Sequence, residues 1–234
     1  MRSERDSVPV GIEPHPARRR AHRENAFMRM GLLADIHEDV ERLAAAIARC
    51  RHEGADRLYT LGDIFETGRR FARAVDLLRE ADVTGVWGNH EFGLFAGRGS
   101  SVENPFDWTT LDYMHRLQPR MEVDGVLLSH VLPCLDPTDV EQPWYVERAP
   151  ETAEAAARNF AAFPHRRMFV GHFHRWLAVS PRGALPWSGE RPIRFRADRR
   201  YLVVIAAVSD GWCAVYDTVA DVLTPCDLRG GTPC

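Results

Sequence analysis

Short apolar runs alternate with amphipathic segments in the first half of the chain, and this alternation limits the folds available to it. Residues 30–34, 58–61 and 83–87 are predicted strands. Between them, residues 40–50 and 71–78 carry apolar side chains at the spacing of one helix face. A strand–helix–strand repeat favours parallel strands joined by helical crossovers. We therefore expect an α/β fold.

The second half of the chain is richer in predicted strands. Residues 121–123 and 126–129 flank Asp124-Gly125, which predicts a β-hairpin. A helix is predicted over 150–163, and Trp108, Leu111 and Met114 have the spacing of a core-facing helix. Further strands are predicted at 168–170, 193–196, 201–208, 214–216 and 222–223. Arg194 and Arg196 are predicted on the outer face of their strand.

Charge and cysteine content exclude several classes of protein. The 234 residues carry 30 basic side chains, all arginine, and 33 acidic ones, so the net charge of −3 provides no general attraction to nucleic acid or to an anionic membrane. No apolar run reaches the roughly 18 residues of a membrane span. Five cysteines without C-x-x-C spacing argue against a disulfide framework and predict a reducing, cytoplasmic location. A homo-oligomer is left open.

The first 27 residues differ in composition from the rest. They contain Pro9, Pro14, Pro16 and a run of three arginines at 18–20, with few large apolar residues. We predict a disordered N-terminal extension followed by a single domain over 28–234. Two alternatives are a true start at Met28 or Met30 and a basic arm for an anionic partner.

Five polar clusters follow predicted strands. They are Asp35-Ile36-His37, Gly62-Asp63, Gly88-Asn89-His90-Glu91, His130 and Gly171-His172-Phe173-His174. In open α/β sheets, ligands bind beyond the carboxyl ends of the strands. Residues i and i+2 of an extended chain point the same way, so Asp35 with His37 can present two ligands to one side. The clusters therefore predict one shared crevice.

The residue types in these clusters indicate a metal site. Carboxylate, imidazole and amide oxygen together suit Mn, Fe, Zn, Ni or Co better than Ca. The absence of cysteine argues against a closed structural zinc site. Asp63 has two carboxylate oxygens and could bridge two cations. Two divalent cations would outweigh the charges of two carboxylates, and such a site attracts phosphate esters.

The ordered set D-x-H, G-D, G-N-H-E, H and G-H-x-H resembles the calcineurin-like metallophosphoesterase superfamily, and in particular its small bacterial and archaeal phosphodiesterase branch. The resemblance implies two mixed β-sheets packed as a sandwich flanked by helices. It also implies two metal sites that share one bridging carboxylate. The first would be held by Asp35, His37, Asp63 and His174, and the second by Asp63, Asn89, His130 and His172.

The resemblance further implies a reaction. Two divalent transition-metal ions, with Mn²⁺ first and Fe, Zn, Ni or Co as alternatives, would share a hydroxide that attacks phosphorus. His90 would contact the substrate phosphate and assist the leaving oxygen. The substrate would be a small phosphate ester or a nucleotide, with phosphodiesters favoured. A phosphomonoesterase, a nucleotide-polyphosphate hydrolase and a non-catalytic metal-binding scaffold are the alternatives.

Two departures from the family pattern bear on the substrate. Glu38-Asp39 stands where relatives often have Gly-Asn, which predicts two extra carboxylates near the metals and favours either a less anionic substrate or a third cation. Residues 62–68 keep the frame of G-D-x-x-D-R-G without its arginine, which counts against a protein phosphatase.

Other polar residues receive weaker predictions. Glu91 is expected to anchor the turn of His90, and residues 92–106 are expected to form a loop beside the substrate pocket. Arg is a good phosphate donor, but the arginines considered for that role are each expected to be surface charges, namely Arg69, Arg70, Arg98 and Arg175.

Overall fold

Two six-stranded β-sheets form the centre of the protein, in a computed structural model that describes residues 28–95, 106–139 and 149–230. Strands are numbered in chain order. The first sheet contains, from edge to edge, β3 (Thr84–Val86), β2 (Arg57–Leu61), β1 (Arg29–Leu33), β11 (Trp212–Asp217), β12 (Val222–Asp227) and β9 (Ile193–Arg194). The second contains β4 (Arg120–Val123), β5 (Val126–Ser129), β6 (Arg167–Val170), β10 (Tyr201–Val204), β7 (Leu177–Ser180) and β8 (Gly183–Ala184).

Parallel pairing is confined to two groups of three strands. β1 pairs with β2 and β2 with β3 in the first sheet, and β6 lies between β5 and β10 in the second. The remaining pairs of named strands are antiparallel. Both sheets are therefore mixed, as expected, and the parallel part of the first sheet is the predicted strand–helix–strand repeat. The carboxyl ends of five parallel strands, β1, β2, β3, β5 and β6, precede the five polar clusters.

Five helices accompany these sheets in the described residues: α1 (Val40–His52), α2 (Phe71–Glu80), α3 (Asn89–Phe95), α4 (Trp108–Arg116) and α5 (Ala153–Ala162). α1 begins where the Asp39 carboxylate accepts the N–H of Arg42 at 3.0 Å, as an N-cap residue does. It ends just before Gly54, which has a left-handed φ of +81°. None of the described helices is long and apolar enough to cross a membrane.

Alternating side chains divide the core into layers. In β6, Phe169 packs between the two sheets, while Met168 and Val170 point to the opposite face of the second sheet. Phe160 of α5 packs on that opposite face, and Phe71 of α2 belongs to the corresponding layer outside the first sheet. Because successive strand residues face opposite ways, one continuous apolar strand can serve two layers. The order is helices, sheet, sheet, helix.

Several sequence expectations differ from the structure: the predicted strand 193–196 ends at Arg194, which leaves Arg196 outside it, and two strands, β7 and β8, were not predicted. The apolar run 201–208 is a strand only to Val204, because the chain then crosses to the first sheet, where Val208 N–H donates to Ala34 O at 2.7 Å. Trp108 is 74% exposed at the start of α4, while Met114 is buried as expected. The proposed extension over 1–27, and residues 96–105 of the proposed pocket loop, lie outside the described residues; residues 89–95 are helical.

Arg167 links the two sheets at the end opposite the polar clusters. Its side chain is 6% exposed, and its guanidinium pairs through two nitrogens with Asp221, in the turn between β11 and β12. Tyr216 O–H donates to the same carboxylate at 2.8 Å, and the guanidinium lies over the Phe195 ring. Burial opposes ionisation of Asp221, but the bonds from Arg167 and Tyr216 outweigh it and lower the pKa of the carboxyl. The pair is therefore charged and mostly enclosed.

We predict that Arg167→Met lowers the free energy of unfolding by about 3 kcal/mol, because it strands the Asp221 carboxylate without its partner. Urea denaturation followed by circular dichroism measures the change. Arg158→Met, at an exposed position on α5, is the control and is expected to stay within about 0.5 kcal/mol of the parent. Equal stability of the two variants would contradict the assigned role of the pair.

Candidate metal centre

The fold brings all seven predicted metal ligands to one place. They follow the carboxyl ends of five parallel strands in the two sheets: Asp35 and His37 follow β1, Asp63 follows β2, Asn89 begins α3 after β3, His130 follows β5, and His172 and His174 follow β6. Both sheets contribute because β1–β3 and β5–β6 end at the same side of the sandwich. Residues separated by more than 130 positions, such as Asp35 and His172, are in hydrogen-bond contact there.

The backbone at this site is strained. Nine non-glycine residues in the described ranges have a left-handed φ, and five of them are predicted ligands: Asp35, His37, Asp63, His172 and His174. Such conformations cost about 1–3 kcal/mol each and cluster at functional sites. The extended geometry that we assumed for Asp35 and His37 is therefore wrong. Instead, backbone bonds hold the turn, since the His37 N–H donates to Asp63 O at 2.9 Å.

Asp35, His37 and His174 form the first donor group. Nε2 of His37 lies 3.0 Å from Nε2 of His174, and the latter atom lies 3.6 Å from Asp35 Oδ1. Two imidazole nitrogens this close cannot both carry a proton, so at least one presents a lone pair. One ligand atom from each of the three residues falls within 4.8 Å of the others, which is a spacing that a metal ion can span.

Asp63, Asn89, His130 and His172 form the second donor group. Nε2 of His130 lies 3.2 Å from Asp63 Oδ2 and 2.9 Å from Asn89 Oδ1. Nδ1 of His172 lies 3.0 Å from the same amide oxygen. Asp63, His130 and His172 again satisfy the spacing for a metal ion. Four side chains from four different loops thus direct oxygen or nitrogen atoms to one point.

Asp63 lies between the two groups. Its Oδ2 is 3.2 Å from His130 Nε2 in the second group and 3.9 Å from His37 Nε2 in the first. Its Oδ1 accepts the N–H of His90 at 3.0 Å, which fixes the carboxylate plane. Gly88 makes this approach possible, because a Cβ at that position would lie only 2.2 Å from Asp63 Oδ1. The carboxylate is placed so that both groups can share it.

Burial and the attraction between opposite charges compete in setting the ionisation of the centre. Burial raises the pKa of Asp35 to about 8, against the opposing attraction of His130. Burial also disfavours the Asp63 carboxylate, but attraction to His130 outweighs it and lowers the pKa of Asp63. The same carboxylate raises the pKa of His130 to about 9 despite burial of the ring. Burial lowers the pKa of His172 to about 4, which keeps the ring neutral, with one nitrogen carrying a proton and the other a lone pair.

These features fit divalent transition-metal ions. Metal ligands must be neutral histidines and ionised carboxylates. Burial together with neighbouring histidines lowers the pKa values of His37 and His172. His130, whose pKa Asp63 raises, would give up a proton when a cation binds. The carboxyl of Asp35 is fully buried with a raised pKa, so its anion lacks the positive charge that a cation would provide. Nitrogen and oxygen donors without sulfur suit Mn, Fe, Ni, Co or Zn.

Glu91 binds the backbone of the turns that carry Asp63 and His90. The sequence predicted this anchoring role for the His90 turn. Glu91 is 1% exposed, and its two oxygens accept backbone N–H groups from both neighbouring turns. Oε2 accepts Asp63 N–H at 3.0 Å and Gly88 N–H at 2.7 Å, while Oε1 accepts Ile64 and Phe65 N–H, each at 2.7 Å. Burial raises the pKa of Glu91 and the nearby Asp63 adds to that rise. One side chain therefore ties the turn after β2 to the turn after β3.

The family is recognisable from the sequence of most of the chain as well as from these contacts. A sequence profile of the calcineurin-like phosphoesterase superfamily domain matches residues 28–185, which include all seven donors. The chain belongs to the calcineurin-like phosphoesterase superfamily. The resemblance inferred from the five clusters is thereby confirmed.

Known proteins agree with this family at the level of the fold. A metallophosphoesterase from Sphaerobacter thermophilus superposes with a TM-score of 0.69 at 23% identity, over 86% of this chain and 88% of the other. A candidate diadenosine tetraphosphatase gives a TM-score of 0.52 at 16% identity, over 88% and 96% of the two chains. An uncharacterised protein of Methanocaldococcus jannaschii is 31% identical over 77 residues. That match spans about a third of the curated relative, 32% of its length.

The two acidic residues that replace the usual Gly-Asn of this superfamily do not point at the donors, which corrects the expectation of extra carboxylates beside the metals. Asp39 caps α1. Glu38 is 5% exposed and accepts N–H groups from Glu66, Thr67 and Arg70 at 2.8–3.0 Å and from Gly68. Burial opposes its ionisation, but these bonds outweigh it and lower the pKa of Glu38.

Sequence reasoning missed Glu66. Its Oε2 lies 2.8 Å from Nδ1 of His37 and 3.2 Å from Nδ1 of His90. A carboxylate only accepts, so the hydrogen bond to His37 places that ring's proton on Nδ1 and leaves Nε2 to face the centre. The shorter of the two His90 nitrogen contacts with a carboxylate is also the one to Glu66, through Nδ1. The sequence does contain a signal for this role of Glu66. It lies three residues after Asp63, within residues 62–68, and so close to the turn that carries the shared donor.

The arginines considered for phosphate binding have other contacts. Arg70 pairs with Glu41, and Arg175 pairs with Glu151 at 2.9 Å. Arg69 is exposed, and Arg98 lies outside the described residues. The expectation that they are surface charges is met for the described three.

We predict that Glu91→Gln lowers the free energy of unfolding by about 2–4 kcal/mol, because the new NH₂ group faces two backbone N–H donors that lose their acceptor. Thermal and urea unfolding of the metal-free protein measure the loss. Glu154→Gln on the exposed side of α5 is the matched control. An unfolding free energy equal to that of the control would show that Glu91 does not hold the two turns.

Proposed function

We propose that this protein is a dinuclear metal-dependent phosphoester hydrolase that prefers phosphodiesters. The observation that carries the proposal is the pair of donor groups that share Asp63. Asp35, His37, Asp63 and His174 would hold one cation, and Asp63, Asn89, His130 and His172 the other. When bound, two such cations would supply Lewis acidity and an activated water for attack on phosphorus. Mn²⁺ is our first choice of metal.

His90 is proposed as the group that assists the leaving oxygen. Its side chain is 32% exposed, in contrast to the buried His130, so a substrate can reach it. Nε2 lies 4.0 Å from Asp63 Oδ2, beside the donors, and Nδ1 lies against Glu66. With Nδ1 directed at Glu66, the imidazolium form of His90 would present its second proton, on Nε2, to an oxygen bound between the donor groups. Such a positioned acid contributes roughly 10²–10⁴-fold to a reaction with a poor leaving group.

The charges around the centre support a preference for diesters. Glu66 and Asp210, whose side chains are 45% and 53% exposed, lie within 3.4 Å of His37 and His174 respectively. Within the described ranges, no salt bridge joins an arginine to a donor residue, and Arg42 pairs with Asp39. Because like charges repel, a doubly charged monoester meets more repulsion at this entrance than a singly charged diester.

We predict that Asp63→Asn removes both metals and all turnover, because its carboxylate serves both donor groups. Metal content after dialysis is measured by elemental mass spectrometry, and turnover with Mn²⁺ on bis-p-nitrophenyl phosphate and p-nitrophenyl phosphate. Asp198→Asn, at an exposed turn, is the control. Full activity of Asp63→Asn would end the assignment. A parent that binds two metals but hydrolyses neither ester would favour the binding scaffold, and faster monoester turnover would favour the phosphatase alternative.

We predict that His90→Ala keeps two metals per chain and loses about 10²-fold or more in kcat on a diester with a poor leaving group. Diphenyl phosphate is a suitable substrate. His52→Ala, at an exposed position on α1, is the matched control and should behave as the parent. A parallel loss of metal in His90→Ala would identify His90 as a ligand. That role is geometrically possible, because ligand atoms of His90, His37 and Asp63 lie within 4.8 Å of one another.

A further inference from the structure

Glu38 has a conformation that suits glycine and a side chain that glycine lacks. Its φ is +58°, in the left-handed region where a Cβ is unfavourable. The side chain nevertheless turns into the protein and meets the loop that follows Ile64. Glycine would adopt the same turn without strain, so the backbone conformation does not require a glutamate. The hydrogen bonds of the carboxylate therefore explain why a glutamate suits this position.

The Glu38 carboxylate closes the loop at 66–70 around itself. Oε1 accepts the N–H groups of Glu66 at 3.0 Å, Thr67 at 2.8 Å and Gly68, and Oε2 accepts that of Arg70 at 2.9 Å. Gly68 has a φ of +82°, which turns successive N–H groups inward as in an anion-binding nest. The first residue held in this way is Glu66.

Glu66, which Glu38 holds in place, contacts two histidines. Its carboxylate oxygen Oε2 contacts Nδ1 of both His37 and His90, whose rings are 4.7 Å apart and nearly perpendicular. Nε2 of each ring then lies about equally far from Asp63 Oδ2, at 3.9 and 4.0 Å. A shift of the Glu66 backbone would release both rings at once, because one oxygen atom serves both.

We propose that Glu38 is a positioning residue for the reaction: it holds the 66–70 loop so that Glu66 orients His37 toward the metal and His90 toward the leaving oxygen. The proposal rests on the proposed function for the roles of the two histidines. Its structural part, that Glu38 fixes the contacts of the two rings with Glu66, stands on distances between described residues. The Glu38 carboxylate bonds to the 66–70 loop and not to His37 or His90, so it acts through Glu66.

The informative substitution is Glu38→Gly. Glycine relaxes the left-handed turn, which offsets part of the stability that is lost with the carboxylate and helps the variant to fold. Glu38→Gln keeps the shape and one acceptor oxygen, and is expected to give intermediate behaviour. Glu41→Gln is the matched control, because Glu41 pairs with the Arg70 guanidinium on the same loop at the surface without contacting its backbone.

The activity test compares two leaving groups. On bis-p-nitrophenyl phosphate, where the leaving group needs little protonation, we expect Glu38→Gly to lose less than about tenfold in kcat with Mn²⁺ bound. On diphenyl phosphate we expect a loss of about 10²-fold, because misplacing His90 removes most of the acid contribution. Glu41→Gln should stay within about twofold on both. Equal losses on the two esters, or none, would overturn the proposed effect on His90.

A double-mutant cycle tests whether Glu38 acts through Glu66. Glu66→Ala should reproduce the leaving-group effect, and Glu38→Gly added to it should cost less than about twofold more on diphenyl phosphate. Multiplicative losses would show that Glu38 acts by another route and would contradict the proposal.

A spectroscopic measurement separates this proposal from the proposed function. In ¹⁵N-labelled protein with two equivalents of Zn²⁺, which is diamagnetic, the Nδ1–H protons of His37 and His90 should be observable and slow to exchange. They should be lost in Glu38→Gly and retained in Glu41→Gln. Their retention in Glu38→Gly would overturn the proposal whether or not the protein hydrolyses esters. A parent that has these protons but no hydrolytic activity would contradict the proposed function alone.

Discussion

Two buried glutamates hold the loop after β2, and the donor arrangement depends on them. Glu91 accepts four backbone N–H groups, three from residues 63–65 and one from Gly88, and Glu38 accepts four from residues 66–70. A buried N–H without a partner costs about 1–3 kcal/mol, so a loop this rich in inward N–H groups requires such acceptors. The loop carries Asp63, which lies between both donor groups, and Glu66, which orients two histidines.

Mixed sheets explain how one chain can build such a centre. Parallel strands end together, so β1, β2 and β3 deliver three loops, and β5 and β6 deliver two more from the facing sheet. The buried segment after β10 joins the sheets near the donors, where Ser209 N–H donates to Asp35 O at 3.2 Å. Apolar packing between the sheets fixes the distance between the loops, and the loops' own hydrogen bonds then set the direction of each side chain.

The sequence predicted the convergence of the five clusters better than their local geometry. Each cluster follows a strand that periodicity identifies, so the convergence of Asp35, Asp63 and His172 follows from topology alone. The left-handed turns do not follow, because pairing with distant loops, rather than the intrinsic preference of Asp or His, stabilises them. The prediction that Trp108 faces the core is wrong for a similar reason. Helical spacing shows which residues share a face, but not that the first turn of α4 extends beyond the core. The sequence identifies Glu38-Asp39 as unusual. It does not show where the Glu38 side chain points, because that depends on hydrogen bonds to the 66–70 loop, some 30 residues further along the chain.

The presence of glutamate at position 38 has a physical explanation once both sides of the balance are considered. A left-handed non-glycine residue costs about 1–2 kcal/mol relative to an ordinary conformation. Against this stand four backbone N–H groups whose bonds to a charged acceptor contribute about 1.5–3 kcal/mol each before the cost of burying the carboxylate. Desolvation removes much of that gain, and the hydrogen bonds still lower the pKa of Glu38, so the side chain binds the loop as an anion. Glu38 therefore stabilises the 66–70 loop despite its left-handed backbone. Its negative charge, which the sequence places near the donor groups, binds that loop.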